Sequence, residues 1–120
     1  MKEAINPLEK FSKVSDYWSP GILGKLNDYF IKIAKIKGEF VWHDHPETDE
    51  LFMVLEGNMK ILFRDRTVEL KVGELFIVPA GVEHKPVAEN ECKILLIEPA
   101  GTINTGNTKS GFTRENLTWV

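Results

Sequence analysis

His43, Asp44 and His45 stand together in the 120-residue chain, and Glu50 follows five residues after His45. The third and last histidine, His84, ends a second stretch marked by glycine and proline, Gly73 to His84 (GELFIVPAGVEH). Imidazole nitrogens and carboxylate oxygens are ordinary ligands of divalent transition metals, which hold them at about 2.0–2.2 Å. Two residues spaced two apart on an extended strand point to the same face, so His43 and His45 can share one ion. A carboxylate at the mouth of the next strand, Asp49 or Glu50, would complete a two-histidine, one-carboxylate triad. Such a triad leaves coordination positions open to substrate or oxygen. His84 would add a fourth ligand, and Asp44, Glu47, Asp49 and Glu50 gather negative charge where a cation would sit. Any one of these histidines alone reads more simply as a packing or surface residue. All three together, with a carboxylate, at strand-compatible spacing and beside glycine turns, point to a metal.

These side chains need a scaffold of short strands, and the chain supplies the pattern. Residues 1–28 read as an N-terminal extension. In it Asn6 can cap a helical turn opened by Pro7, Ser19-Pro20-Gly21 is a turn, and Ile22 to Leu26 is a short strand. From Tyr29 to Lys37 the chain is rich in β-formers, with Lys32, Lys35 and Lys37 spacing an apolar stretch as on a half-exposed strand. Gly38 interrupts it, and Phe40 to His43 resumes extended structure. His45 to Asp49 is a loop, Leu51 to Leu55 an apolar strand, and Glu56-Gly57-Asn58 a hairpin turn.

Met59 to Phe63 and Thr67 to Lys71 are strands joined by a turn at Arg64-Asp65-Arg66, followed by Leu75 to Val78. Glu83 to Val87 is expected as an irregular or edge strand because of Pro86, and Cys92 to Ile97 as a last apolar strand. Between Tyr29 and Pro99 no stretch has convincing helical periodicity, and the rhythm of short strands and turns is that of an all-β barrel or sandwich. Residues 29–99 are thus one barrel domain. The tail, 100–120, is irregular but keeps Phe112, Leu117 and Trp119, which implies that it packs on the barrel or on a partner subunit.

Gly38-x4-His43-x-His45-x4-Glu50-x6-Gly57 resembles the first conserved motif of the cupin superfamily, and Gly73-x5-Pro79-x-Gly81-x2-His84 resembles the second. The motifs occur in the family's order, 15 residues apart, as in small single-domain cupins. The resemblance implies an RmlC-like double-stranded β-helix, or jelly-roll, barrel. It also implies His43, His45, Glu50 and His84 as ligands of one divalent transition metal: iron, manganese, nickel, copper or zinc. The choice of Glu50 over Asp49 comes from the resemblance, since strand parity does not make it. Two departures stand out. Four residues rather than the common five separate Gly38 from His43, and Ala88 stands where the family commonly has Asn. Neither position supplies a ligand. Small cupins include dioxygenases, isomerases, epimerases and decarboxylases. The expected function is therefore a metal-dependent enzyme acting on a small polar molecule, with a non-catalytic metal- or ligand-binding module as the alternative. No catalytic residue is assigned, Glu47, Asp49 and Glu83 being candidate general bases only, and a homodimer is expected.

Composition narrows the rest. A net charge of −3 without a basic cluster argues against nucleic acid as a partner. Cys92 is the single cysteine, so no intrachain disulfide forms, and it reads as a buried inert thiol. The N-terminal residues lack a signal-peptide apolar core, and no apolar run approaches the roughly 18–20 residues of a membrane span. The expected compartment is the cytoplasm, with no membrane partner. Arg64 and Arg66 read as a solvated hairpin tip, and Trp42, between Val41 and His43, as facing away from the metal.

Overall fold

The computed structural model describes residues 3–106 and 108–120. Met1, Lys2 and Asn107, which belong to the expected N-terminal extension and C-terminal tail, lie outside the described residues.

A single turn of helix, α1 (Pro7–Lys10), opens the fold. As its sequence implies, Asn6 Oδ1 accepts hydrogen bonds from the Leu8 and Glu9 amides (3.1 and 3.4 Å), and Pro7 occupies the first turn, where it has no donor to lose. Among the described residues eight strands follow: β1 (Gly21–Leu26), β2 (Tyr29–Glu39), β3 (Glu50–Glu56), β4 (Asn58–Phe63), β5 (Thr67–Lys71), β6 (Leu75–Val78), β7 (His84–Pro99) and β8 (Thr118–Trp119). They form an all-β jelly roll, a sheet that folds over itself without closing. Among the described residues no helix is long and apolar enough to cross a membrane.

The organising strand is β7. One edge pairs with β2 from Tyr29↔Pro99 to Glu39↔Val87. The other edge pairs first with β4, from Phe63↔His84 to Lys60↔Val87, and then with β3, from Glu56↔Lys93 to Leu51↔Ile97. The expected pair of strands, Glu83 to Val87 and Cys92 to Ile97, is therefore one continuous strand of 16 residues. Nor does Pro86 mark an edge. It is buried between β4 and Phe40, and its missing N–H falls where the β2 ladder has just ended, with only its carbonyl accepting from the Phe40 amide at 3.0 Å.

Other local expectations change for similar reasons. Gly38 does not end its strand; β2 runs through it with a bulge and stops at Glu39. Phe40 to Trp42 then leave the ladder, and His43 makes one isolated pairing with His84. Glu56-Gly57-Asn58 is a turn but not a hairpin, because β3 and β4 pair with β7 and not with each other. The Arg64-Asp65-Arg66 turn is a true hairpin, closed by the Phe63 amide on the Arg66 carbonyl at 2.7 Å.

The inward faces keep the period of two that strands require. Ala34 and Ile36 of β2, Phe52 and Val54 of β3, Met59 and Ile61 of β4, and Cys92, Ile94 and Leu96 of β7 form the core. Cys92 is buried as expected, and burial, helped by the Glu56 charge, pushes its thiol up to about 11, which keeps it protonated and inert. Trp18 plugs one side. Its ring stacks on Phe40 with centroids 4.7 Å apart and its indole N–H donates to the Lys37 carbonyl at 3.0 Å. The C-terminal segment covers the same end, with Phe112 lying 5.4 Å from Phe40 and Thr108 Oγ1 donating to the Trp42 carbonyl. A smaller apolar cluster on the outside joins Phe11, Val14 and Ile33.

Gly57 carries the chain from the layer of β3 to that of β4 with φ of 86°, and a Cβ there would lie 3.0 Å from the Glu91 carbonyl. Gly38 has a similar φ of 81° but open space around it. Both positions penalise a side chain by about 1–2 kcal/mol through the backbone alone. Gly57→Ala adds a steric clash, so urea unfolding should show it to be more destabilising than Gly38→Ala. Equal losses would mean that the Glu91 contact gives way freely.

Candidate metal centre

The site begins with two backbone hydrogen bonds. The His43 amide donates to the His84 carbonyl at 3.0 Å, and the His84 amide donates back to His43 at 2.9 Å. This reciprocal pair sets the two imidazoles side by side, with ring centroids 4.3 Å apart. His45, two residues on, falls on the same face, and its ring lies 5.1 Å from that of His43. Its carbonyl accepts from the Gly81 amide at 2.9 Å, while Asp49 Oδ1 accepts from the Ala80 amide at 2.8 Å. The loop between the histidines and Glu50 is thus tied to the Pro79-Ala80-Gly81 turn. Glu50 opens β3 opposite Val78 and points inward. All four side chains are buried, and one ligand atom from each lies within 4.8 Å of every other.

The orientation of the rings decides what the cluster can do. Nδ1 of His43 lies 2.9 Å from the Val41 carbonyl, and Nδ1 of His84 lies 2.9 Å from the Val82 carbonyl. A carbonyl only accepts, so each Nδ1 carries the proton. A neutral ring then presents a bare lone pair from Nε2 to the centre. There His84 Nε2 sits 3.3 Å from Glu50 Oε1, and His45 Nε2 sits 3.4 Å from it but off the line of a hydrogen bond, with no other partner. Lone pairs facing a buried carboxylate repel unless a cation lies between them. The 3.3–3.4 Å separations match neighbouring ligands around an ion held at about 2.1 Å. The residues therefore fit a transition metal and could hold one, with the two backbone carbonyls fixing the tautomers.

Burial, followed by the adjacent His84 imidazole, pushes His43 down to about 4, against the weaker opposing pull of the Val41 carbonyl and Glu50. Glu50 is held well below the usual carboxylate range. Burial works against its ionisation, but the neighbouring Glu98, His45 and His84 outweigh that cost.

Glu98 and Lys32 belong to the site and were not among the residues expected there. Lys32 is 1% exposed rather than half-exposed, and its Nζ donates to Glu98 Oε1 at 2.7 Å. Glu98 Oε2 finds no donor when both carboxyls are ionised. Burial, reinforced by the Glu50 charge, raises Glu98 well above the carboxylate range despite Lys32. The sequence signal was parity. Lys32 continues the inward series Ala34, Ile36, and Glu98 continues Cys92, Ile94, Leu96, so opposite charges end two inward rows on neighbouring strands.

The candidate general bases lie elsewhere. Glu47 and Asp49 are exposed, Asp49 being spent on the loop, and Glu83 pairs with Arg64 on the surface at 2.7 Å. Arg64 is not only solvated, since its guanidinium also covers the half-buried Trp42 ring at 3.7 Å. Beside His43 and Glu50 lies a cavity of about 40 Å³, walled by Trp18, Phe40, Phe52, Ile94 and Leu96 with Glu98 at one end. A water needs about 10–15 Å³ of such space, so the cavity holds a few small molecules' worth of atoms and no more.

Comparison with known proteins gives a consistent picture. Residues 30–98 match the cupin domain family. A cupin-2 domain containing protein from Shewanella frigidimarina is 51% identical, over 80% of this chain and 94% of that one, with a TM-score of 0.79. NMB1881 from Neisseria meningitidis is 31% identical, over 82% of this chain and 100% of that one, with a TM-score of 0.74. The uncharacterised protein YdbB of Bacillus subtilis is 35% identical over 86 residues, 71% of this chain and 76% of that protein.

The depressed His43 value sets a pH dependence for the metal-free protein. The unfolded chain takes up this proton near pH 6.5 and the folded one only near 4, so stability is intact above 6.5 and is lost as pH falls towards 4. The shift is worth roughly 3 kcal/mol. Urea unfolding at pH 7 and pH 4 should show a smaller difference for His43→Gln than for the parent. Identical differences would remove His43 as the cause.

Proposed function

The chain belongs to the cupin family, and on that premise we propose that it is a small metal-dependent enzyme. In this reading His43, His45, Glu50 and His84 hold one divalent transition-metal ion: iron, manganese, nickel, copper or zinc. The observation that carries the reading is the convergence of buried imidazole nitrogens on a buried carboxylate, an arrangement that a bound cation would relieve. Bound there, such an ion supplies Lewis acidity towards a carbonyl or hydroxyl, or a site for oxygen. The protein's own part is to present neutral imidazoles, through the Val41 and Val82 carbonyls, and an ionised Glu50, and to wall the open side with Phe40, Phe52 and Leu96. A small polar molecule reaching that side would meet few competing waters. Dioxygenase and isomerase chemistry both suit this arrangement.

A non-catalytic binding module is the second reading. It is favoured by the small cavity and by the placement of Glu47, Asp49 and Glu83 away from it. The reading also includes a cytoplasmic setting and a homodimer. The dimer is supported by the edge strand β6, where Leu75 and Ile77 are about half exposed beside Leu51 and Met53 of β3.

Metal at about one hundred times its dissociation constant should stabilise the protein by about 2.7 kcal/mol. His45→Ala should abolish that gain. Oxygen uptake or isomerisation by the metal-loaded protein, tested on small diols, keto acids and thiols, should vanish in the same variant. A melting temperature indifferent to all five metals would refute the metal centre. Metal binding without turnover of any compound would favour the binding module. Sedimentation showing only monomer at high concentration would remove the dimer.

A further inference from the structure

One carboxylate oxygen inside the barrel has nothing to bind. Glu98 is 2% exposed and Lys32 Nζ donates to its Oε1 at 2.7 Å, but its Oε2 has no hydrogen-bond partner among the described residues. A buried polar atom left unpaired is rare and costly, and an apolar pair in place of Lys32 and Glu98 would often serve stability as well. The position of Glu98 offers a reason. It stands in the wall of the cavity of about 40 Å³ that adjoins His43 and Glu50, whereas Lys32 borders a separate surface cleft beside Phe30 and Trp119. Lys32 thus holds Glu98 from the side away from the cavity and leaves Oε2 to it. The other polar groups of the wall are committed. The Trp18 indole N–H donates to the Lys37 carbonyl, and Asn104 donates to the Phe112 carbonyl and accepts from the Arg114 amide. His43 and Glu50 belong to the metal centre. The rest of the wall is apolar, and among the described residues it includes no lysine or arginine.

We propose that this cavity is the ligand pocket of the metal centre and that Glu98 sets its specificity, binding a hydroxyl of a small molecule whose other end reaches the ion. The inference rests on the metal-centre reading and adds the class of ligand. That class is a short apolar skeleton with a metal-binding oxygen at one end and a hydroxyl at the other. The cavity has room for about three waters, which keeps the skeleton to a few atoms. A hydroxyl both donates and accepts, so it satisfies Oε2 whether Glu98 is a carboxylate or a carboxylic acid. A methyl group in its place would leave Oε2 unpaired. A carboxylate would meet Glu98 in an apolar wall with no free cation to hold it. A site built to bond a hydroxyl rejects the analogue that lacks one, because the site's own polar group is then stranded.

The test uses the Co²⁺-loaded full chain and a set of hydroxamates, whose head group grips a metal and carries a chosen tail into the cavity. Propanohydroxamate and glycolohydroxamate differ only by methyl against hydroxyl. Butanohydroxamate and β-hydroxypropanohydroxamate repeat the exchange one carbon farther out. Affinity is read from the visible absorption of the Co²⁺ centre. At the length that reaches Glu98, the hydroxyl tail should bind about tenfold tighter than its methyl twin, and the matching carboxylate tail more weakly than either. The double variant Lys32→Met/Glu98→Leu removes both charges together and should lose that preference or reverse it. Lys32→Leu/Glu98→Met serves the same purpose if the first pair packs poorly. A crystal of the parent complex gives a readout that needs no variant: the hydroxyl oxygen should lie about 2.5–3.0 Å from Glu98 Oε2. Three results would each overturn the proposal while leaving the metal centre intact. They are equal affinity of methyl and hydroxyl tails in the parent at both lengths, a hydroxyl preference that survives in the double variant, and a crystal in which Oε2 keeps a water while the tail lies elsewhere. No Co²⁺ uptake by the parent protein would overturn the metal centre and this inference with it.

Discussion

The two hydrogen bonds exchanged by the backbones of His43 and His84 join residues 41 positions apart in the chain. Neither partner is part of a long ladder at that point: β2 has ended at Glu39, and β7 is only beginning. Everything at the centre depends on this pairing. It sets the spacing of the two imidazoles, and it brings the Val41 and Val82 carbonyls, each two residues before its histidine, onto the Nδ1 atoms. The same local unit, a histidine bonded to the carbonyl two residues earlier, occurs on both sides. The pairing forms only if β7 crosses from one layer to the other, so the site is a consequence of the topology of that strand.

Energetically the centre works against the barrel around it. An apolar core of Phe52, Val54, Ile61 and Ile94 favours folding. Set into it are three imidazoles, two carboxyls and an ammonium, all buried. Two of these groups are satisfied only in part: His45 Nε2 and Glu98 Oε2 have no hydrogen-bond partner among the described residues. Unpaired buried polar groups cost about 1–3 kcal/mol each, so their persistence calls for something that the apolar wall does not provide. A cation at the centre would satisfy the first.

How much of this was legible in the chain varied with the range of the interaction. The four candidate ligands were readable because their spacing is local within each motif, and the motifs carry a family resemblance. Strand positions were readable from the alternation of apolar residues. Partner choice was not: Gly57 announces a turn, but whether the turn makes a hairpin depends on β7, whose pairing with both β3 and β4 involves residues some 20 to 45 positions away. The continuity of β7 through Pro86 was hidden for the same reason, because a missing donor matters only if a neighbour needs it. Lys32 was misjudged because a lysine on a strand is usually solvated, and only the strand opposite reveals Glu98 waiting for it.

The central claim, that the chain builds one metal site from these four side chains, is tested most directly by anomalous diffraction from crystals of the purified protein soaked in Mn²⁺ or Zn²⁺. The account predicts one strong peak per chain, about 2.0–2.2 Å from Nε2 of His43, His45 and His84 and from Oε1 of Glu50. A clear map with no peak at that point, or with the metal held only by surface carboxylates, would contradict it.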